Sequence, residues 1–282
     1  MSDSGALLCS LCTISFRHAL ISFDQILQYA DRHGFDGVEL WGVHARQLYE
    51  QRQQERLSLG RLHVSMISDY LDIGSDADMA ATITRCCELL KVAEWADAKH
   101  IRTFAGRKPS KLVNTKELEC IVGQLRILGD LCLAQGVTLL VETHPGTLAD
   151  DTQFSLQLMQ MVDHEAVGLN LDFLHLWEAG DQPVESYRQL EPWVGHFHFK
   201  NVATRSYCHV FEPQEVYSPS GKREGMAALG DGAVNYREIL RHVGQSGKFA
   251  SLEWFGASPF TRLSTDLQWL RQQLNQATAE IG

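Results

Sequence analysis

Short apolar runs alternate with longer amphipathic stretches along the whole chain. Runs of strand length stand at Leu7–Ile14, Gly37–Trp41, Leu62–Ser68, His100–Phe104, Val137–Glu142, Val167–Asp172, Val194–Lys200 and Phe249–Glu253. Between them, helix-like segments fall near 23–33, 43–59, 76–97, 115–135, 152–163, 183–191, 236–246 and 262–279. Local signals set some of the boundaries. Ser22 stands three residues before Gln25, the spacing of a capping box, and Gly34 follows as a C-terminal stop. Gln135-Gly136 ends the helix before Val137 in the same way.

Eight strand–helix pairs in 282 residues match a (β/α)8 TIM barrel, an α/β fold, in both count and size. The competing arrangement, an open doubly wound sheet, lacks its glycine-rich GxGxxG turn after the first strand. No Pro/Gly/Ser-rich linker and no repeat of fixed period divides the sequence. The expectation is a single barrel domain over 1–282 with a long loop at 201–233 after the seventh strand. A connection that long in a compact domain is usually a lid or binding loop, and this one follows the end of a barrel strand where active sites sit.

Composition removes several function classes. Hydrophobic content of 44% with 21% charged residues suits a folded soluble chain, and this length buries a core without staples. A formal charge of −10, with no run of five basic residues, argues against a nucleic-acid partner. No stretch approaches 18 consecutive apolar residues, so no membrane span is expected, and the stretch from Met1 to Cys9 has no basic start of a signal peptide. The seven cysteines are odd in number. Cys9 and Cys12 form a CxxC inside a strand, with no second pair to complete a zinc site. Reduced thiols in a cytoplasmic protein are the expectation, with a small molecule as partner and homo-oligomerisation left open.

Candidate chemistry collects at the strand ends. In a barrel strand, residues i and i+2 share a face. On the seventh strand His196, His198 and Lys200 therefore face the axis while Phe197 and Phe199 face the helices. Glu142 and His144 share a face on the fifth strand, Asn170 and Asp172 on the sixth with His175 following, and Glu253 points inward on the eighth. Four successive strands thus end in Glu142, Asp172, His198 and Glu253. Carboxylates converging without a cation would repel and resist ionisation. A divalent ion resolves this, and oxygen-rich ligation with one imidazole suits Mn2+, Mg2+ or Co2+. Three ionised carboxylates and one such ion still leave a charge of −1, so Lys200 and Arg102 are welcome neighbours. His196 reads as a hydrogen-bonded interior histidine. Glu39, inward on the second strand, has no assigned role. Tyr70, Phe211 and Phe255 taken singly read as packing.

At these residues the chain resembles the xylose-isomerase-like barrel superfamily and, within it, the 3-dehydroshikimate dehydratases of petrobactin (catecholate siderophore) biosynthesis. The matching stretches are Ser10–His18, Met66–Ile73, Ile101–Gly106, Glu142–Pro145, Asn170–His175, His198–Asn201, His209–Pro213 and Phe249–Gly256. The resemblance implies a hydro-lyase that turns 3-dehydroshikimate into 3,4-dihydroxybenzoate (protocatechuate), with Glu142, Asp172, His198 and Glu253 as metal ligands. It also implies that Arg102, His144, His175, Lys200, Tyr70, Phe211 and Phe255 line the substrate pocket.

On that expectation His144 is the base, His175 or Lys200 protonates the departing hydroxyl, and Arg102 forks the substrate carboxylate. The main alternative is a metal-dependent sugar or cyclitol isomerase, epimerase or dehydratase of the same superfamily, for which Arg102 would not be required. Endonuclease chemistry calls for more metal ligands and a basic groove. A non-catalytic metabolite-binding barrel would have no need of the intact ligand set. The sequence leaves open whether the product feeds a siderophore or aromatic catabolism.

Overall fold

The computed structural model describes residues 5–52 and 54–281, the side chains of 277–281 excepted. Met1–Ser4, part of the stretch inspected for a signal peptide, and residue 53, inside the helix expected over 43–59, lie outside the described residues. Eight parallel strands close into a barrel: β1 (Leu8–Cys12), β2 (Gly37–Trp41), β3 (His63–Ser68), β4 (His100–Thr103), β5 (Thr138–Glu142), β6 (Val167–Asp172), β7 (Val194–Phe199) and β8 (Phe249–Leu252). Neighbours in sequence are neighbours in the barrel, and β1 closes it by pairing with both β2 and β8. Helices follow the strands around the outside. The capping box at Ser22 and Gln25 forms, and Gly34 stops that helix in the left-handed conformation at φ 83°.

Three elements depart from expectation. The second helix, Gly42–Arg52, ends earlier than the expected 59. The indole Nε1 of Trp95 donates to the carbonyls of Arg52 (3.3 Å) and Glu55 (2.6 Å), satisfying acceptors that a longer helix would have used. A helix over Phe173–Ala179, not foreseen from the periodicity, starts directly from β6. Asp172 caps it by accepting from the backbone N–H of Leu174 and His175, and Gly180 ends it at φ 104°. The last helix begins at Pro259, three residues ahead of the expected start.

The long connection is an ordered lid. Asn201–Val202 pairs with Met226–Ala227 in a two-stranded antiparallel ladder, and a 3-10 helix (Arg205–Phe211) and one α-turn (Pro213–Val216) lie between. Asn201, buried, donates to the carbonyls of Leu229 and Val234 and accepts from the Val202 and Val234 N–H groups. Asp266 of the last helix accepts from Leu229 N–H at 3.1 Å. Arg223 reaches from the lid to the carbonyl of Phe255, and Arg17 reaches from β1's end to the carbonyl of Val216. The lid is therefore tied at its base, its middle and both sides of the barrel mouth.

Bulges tune what faces the axis. The β2–β3 register slips between Val38/Val64 and Glu39/Met66, so Ser65 and Ser68 both hydrogen-bond inside the barrel despite their odd spacing. The β6–β7 register slips at Gly195, where a Cβ would stand 2.8 Å from Leu140. Leu140 forms part of the apolar floor. Above it, Ser65 donates to Ser10, Ser10 and Ser251 share a hydrogen bond, and Ser251 meets His196 Nε2 at 3.1 Å.

Candidate active site

The upper layer of the barrel is where the charged side chains gather. Glu39, Arg102, Glu142, Asp172, His198, Lys200 and Glu253 come from β2, β4, β5, β6, β7 and the residues just beyond β7 and β8, and all are buried. Among the described residues, ligand atoms of Glu142, Asp172 and His198 lie within 4.8 Å of one another, a group that could hold a metal ion. Glu253 stands at the edge of this trio. Its Oε2 is 3.6 Å from His198 Nδ1 and 2.8 Å from Lys200 Nζ. Lys200 Nζ is equally 2.8 Å from Asp172 Oδ2, so the ammonium bridges the two carboxylates. Arg102 Nε lies 2.9 Å from Glu142 Oε2.

Lys200 donates a proper hydrogen bond to Glu253, but the Arg102–Glu142 and Lys200–Asp172 pairs are close and poorly aligned. Glu142 Oε2, Asp172 Oδ2 and Arg102 Nε are buried with no partner in hydrogen-bonding geometry. Four buried carboxylates face two fixed cations, a deficit of two positive charges with His198 neutral. A divalent ion closes that deficit, and oxygen-rich ligation with one imidazole is the donor chemistry such ions take. The residues present fit a metal centre.

The electrostatics of each group follow from its neighbours. Burial works to raise the Glu142 carboxyl, but the Arg102 guanidinium and His198 hold it well below the usual carboxylate range. Asp172 is raised by burial and lowered further by Lys200, with a net shift downward. Burial alone would lower the His198 imidazole, and the surrounding carboxylates of Glu253, Glu39 and Glu142 push it well above its ordinary value. The site attracts positive charge at that ring.

One side of this cluster opens to a pocket lined by Tyr70, Arg102, Phe104, Glu142, His144, Lys200, Phe211, Tyr217, Glu253 and Phe255, with Ile14, Pro213 and Val216. The pocket thus brings together six of the seven sequence-predicted catalytic and substrate residues, together with Glu142 and Glu253. The seventh, His175, packs behind His144 with ring centroids 4.5 Å apart and planes tilted by 57°, and is not on the wall. The Arg102 guanidinium lies against the rings of both Tyr70 and Phe104, each 4.8 Å from it, and the two rings meet each other with centroids 5.3 Å apart. Lys200 faces the rings of Phe211 and Phe255 at 5.2 and 5.8 Å. Tyr70 and Tyr217 share a 2.7 Å hydroxyl–hydroxyl bond across the mouth, which ties the lid to the β3 side.

Both histidines present Nε2. His144 Nδ1 lies 2.7 Å from the carbonyl of Pro145, which only an N–H can satisfy, so Nε2 keeps the lone pair. His175 Nδ1 is 3.0 Å from Glu178 Oε2, and its buried Nε2, 3.8 Å from Asp172 Oδ2, makes no hydrogen bond among the described residues. Burial, helped by the neighbouring His175, lowers His144 to about 3 and keeps it neutral. His196 is wholly interior, with Nδ1 on Asn170 and Nε2 on Ser251.

Sequence reasoning passed over Glu39, Glu178, Phe104 and Tyr217. Phe104 follows Arg102 at i+2 and so shares its face, a usable signal. Glu178 sits at i+3 from His175, which matters only once that stretch is known to be helical. Tyr217 lies in an aperiodic loop and carried no signal.

The chain belongs to the xylose isomerase-like TIM barrels, whose family model matches residues 27–273. It is 46% identical over 267 residues to the 3-dehydroshikimate dehydratase of Bacillus anthracis, an alignment covering 93% of this chain and 95% of that protein. The crystal structure of the probable 3-DHS dehydratase AsbF, involved in petrobactin synthesis in Bacillus anthracis, superposes with a TM-score of 0.91 at 45% identity, over 94% of this chain and 99% of that one. The zinc-bound IOLI protein shares the fold at 15% identity, with a TM-score of 0.72 over 97% of this chain and 99% of that one. No helix among the described residues is long and apolar enough to cross a membrane.

Proposed function

We propose that this protein is a 3-dehydroshikimate dehydratase, a hydro-lyase that removes water from 3-dehydroshikimate to leave 3,4-dihydroxybenzoate. The observation that carries the reading is the pocket itself. It sets an arginine suited to a carboxylate, a neutral histidine and a lysine ammonium around a cluster of buried carboxylates with two uncompensated charges. The identity to the Bacillus anthracis dehydratase over nearly the whole chain supports it.

Glu142, Asp172, His198 and Glu253 would hold one divalent ion, with Mn2+, Mg2+ and Co2+ all compatible with the donors. Bound there, such an ion supplies Lewis acidity toward a ketone oxygen, which makes the neighbouring C–H more acidic. The remaining steps belong to the chain's own groups. Arg102 anchors the substrate carboxylate, its plane fixed by Tyr70 and Phe104. His144 Nε2 takes the proton from the carbon next to the ketone. The electron pair left behind expels the hydroxyl one carbon further on, and that oxygen leaves as water with a proton from Lys200. Flanked by two carboxylates, the Lys200 ammonium serves as a donor rather than as a nucleophile toward the ketone. His175 backs His144 from the second layer. Loss of a second ring proton, matched by a proton gained at the former ketone oxygen, then delivers the aromatic product. Phe211, Phe255 and the lid exclude water from the charged centre.

Seven free cysteines and a soluble-type composition suit a cytoplasmic enzyme with a small-molecule substrate. Siderophore biosynthesis is the use this reading favours, because the 45%-identical structure is of a petrobactin-synthesis protein. The test is to incubate EDTA-stripped protein with 3-dehydroshikimate, then add each divalent metal in turn. The expected result is ultraviolet absorbance of a catechol acid appearing only after metal. Silence with all three metals would refute the reading and favour the isomerase alternative.

A further inference from the structure

Glu39 is a fully buried carboxylate that, among the described residues, has no lysine or arginine ion pair of its own. Burying a charge is costly unless it is compensated, so its placement needs an account. Both its oxygens approach one atom: His198 Nε2 lies 2.9 Å from Oε2 and 3.1 Å from Oε1. The Ser68 hydroxyl and the Cys12 thiol also donate to Oε1, which fixes the carboxylate in place. His196 does not compete, since its Nε2 is 4.0 Å from Glu39 and is already met by Ser251.

The other nitrogen of the same ring faces the opposite way. His198 Nδ1 is 3.3 Å from Glu142 Oε1 and 3.6 Å from Glu253 Oε2. A carboxylate at Nε2 holds a ring proton there, so the imidazole has only Nδ1 to offer as a lone pair. Once Nδ1 is free of its own proton, that lone pair faces two carboxylates, an arrangement that a cation among them stabilises. Oriented carboxylate–histidine pairs are the common way proteins set a metal-binding imidazole. Resting on the metal-site reading above, we infer that Glu39 is a positioning residue. From β2 it fixes the tautomer and the plane of His198, so that Nδ1 is the nitrogen offered to the divalent ion.

The test measures Mn2+ binding to EDTA-stripped full-length protein from the paramagnetic resonance signal of the free ion, without substrate. Glu39→Gln keeps the volume and an acceptor oxygen but loses the charge. The expected result is a Kd weakened about 10–100-fold, with a changed line shape of bound Mn2+ and a circular-dichroism spectrum like that of the wild type. Glu39→Asp, which keeps the charge but draws the carboxylate back from Nε2, is expected to fall between the two, and it decides the matter if the amide variant does not fold. A folded variant that binds Mn2+ as tightly as wild type, while Glu142→Gln loses binding, overturns the inference and leaves the metal site standing. Wild-type protein that binds no Mn2+ overturns the metal-site reading, and this inference with it.

Discussion

Asp266 couples the last helix to the lid, and its ionisation has a calculable cost. The side chain is 6% exposed, and its Oδ1 accepts from the Leu229 N–H at 3.1 Å. Burial pushes its carboxyl from 3.8 up to about 6, an effect that the Leu229 hydrogen bond and Arg262 only partly offset. A shift of about two units corresponds to roughly 3 kcal/mol between protonation states. The sign follows from linkage. Below about pH 4 folded and unfolded chains both hold the proton. Between about pH 4 and 6 the unfolded chain releases it first, so stability falls as pH rises, and above pH 6 the deficit is complete. Asp266→Asn keeps an oxygen for Leu229 and cannot ionise. At pH 7.5 it is expected to be more stable than wild type by up to about 3 kcal/mol, or roughly 5 °C in Tm for a chain of this size, with the gap closing near pH 4. Urea denaturation followed by circular dichroism at pH 4.5, 6 and 7.5 measures the difference. A gap that does not change with pH, or a variant less stable at pH 7.5, would refute the reasoning.

Three further outcomes test the pocket and its supports. The Tyr236 hydroxyl donates to the Lys200 carbonyl at 2.8 Å and accepts from the Lys200 N–H at 3.1 Å, so Tyr236→Phe strands both groups and should cost about 1–3 kcal/mol in urea unfolding; a loss under about 0.5 kcal/mol contradicts this. Arg102→Lys loses the planar fork held against Tyr70 and Phe104 and is expected to raise KM for 3-dehydroshikimate by about tenfold, whereas an unchanged KM removes Arg102 from carboxylate recognition. His144→Ala should lower kcat by about 10²–10⁴-fold, and near-normal turnover takes the base role from it.

The barrel was legible because each strand is a short apolar run and each helix carries its period and caps. The strands from Gly37–Trp41 and Val167–Asp172 match to the residue. What stayed hidden depends on partners distant in sequence. The second helix stops at Arg52 because Trp95, 43 residues away, takes its terminal carbonyls. Phe173–Ala179 is too short to display a period, and Asp172 reads equally as a strand end and as a helix cap. The upper layer was readable from i, i+2 alternation, which correctly turned Glu142, Asp172, His198 and Lys200 toward one axis. Alternation also turned Glu39 inward, but it could not reveal that the facing group would be the imidazole of β7. The bulge beside Ser65 breaks the period outright, so Ser68's bond to Glu39 had no signature in the sequence.

The two neighbouring histidines differ in what holds them, and that difference separates their duties. His144 leans on a neutral carbonyl, while His175 is held by the carboxylate of Glu178, which fixes its proton at Nδ1 and leaves the lone pair at Nε2. His144 is on the pocket wall and His175 is behind it, so the ring that Glu178 orients is the surface against which His144 is held. If His175 supports His144 in this way, removing Glu178 should slow turnover without weakening substrate binding. Glu178→Leu is expected to lower kcat by about tenfold at nearly constant KM, because the orientation of the His175 ring is lost. Glu178→Gln keeps an acceptor for Nδ1–H and should recover part of that loss. Steady-state kinetics on both variants distinguish the cases: a rise in KM at constant kcat would make Glu178 a binding element, and wild-type values in Glu178→Leu would remove the His175–Glu178 pair from the mechanism.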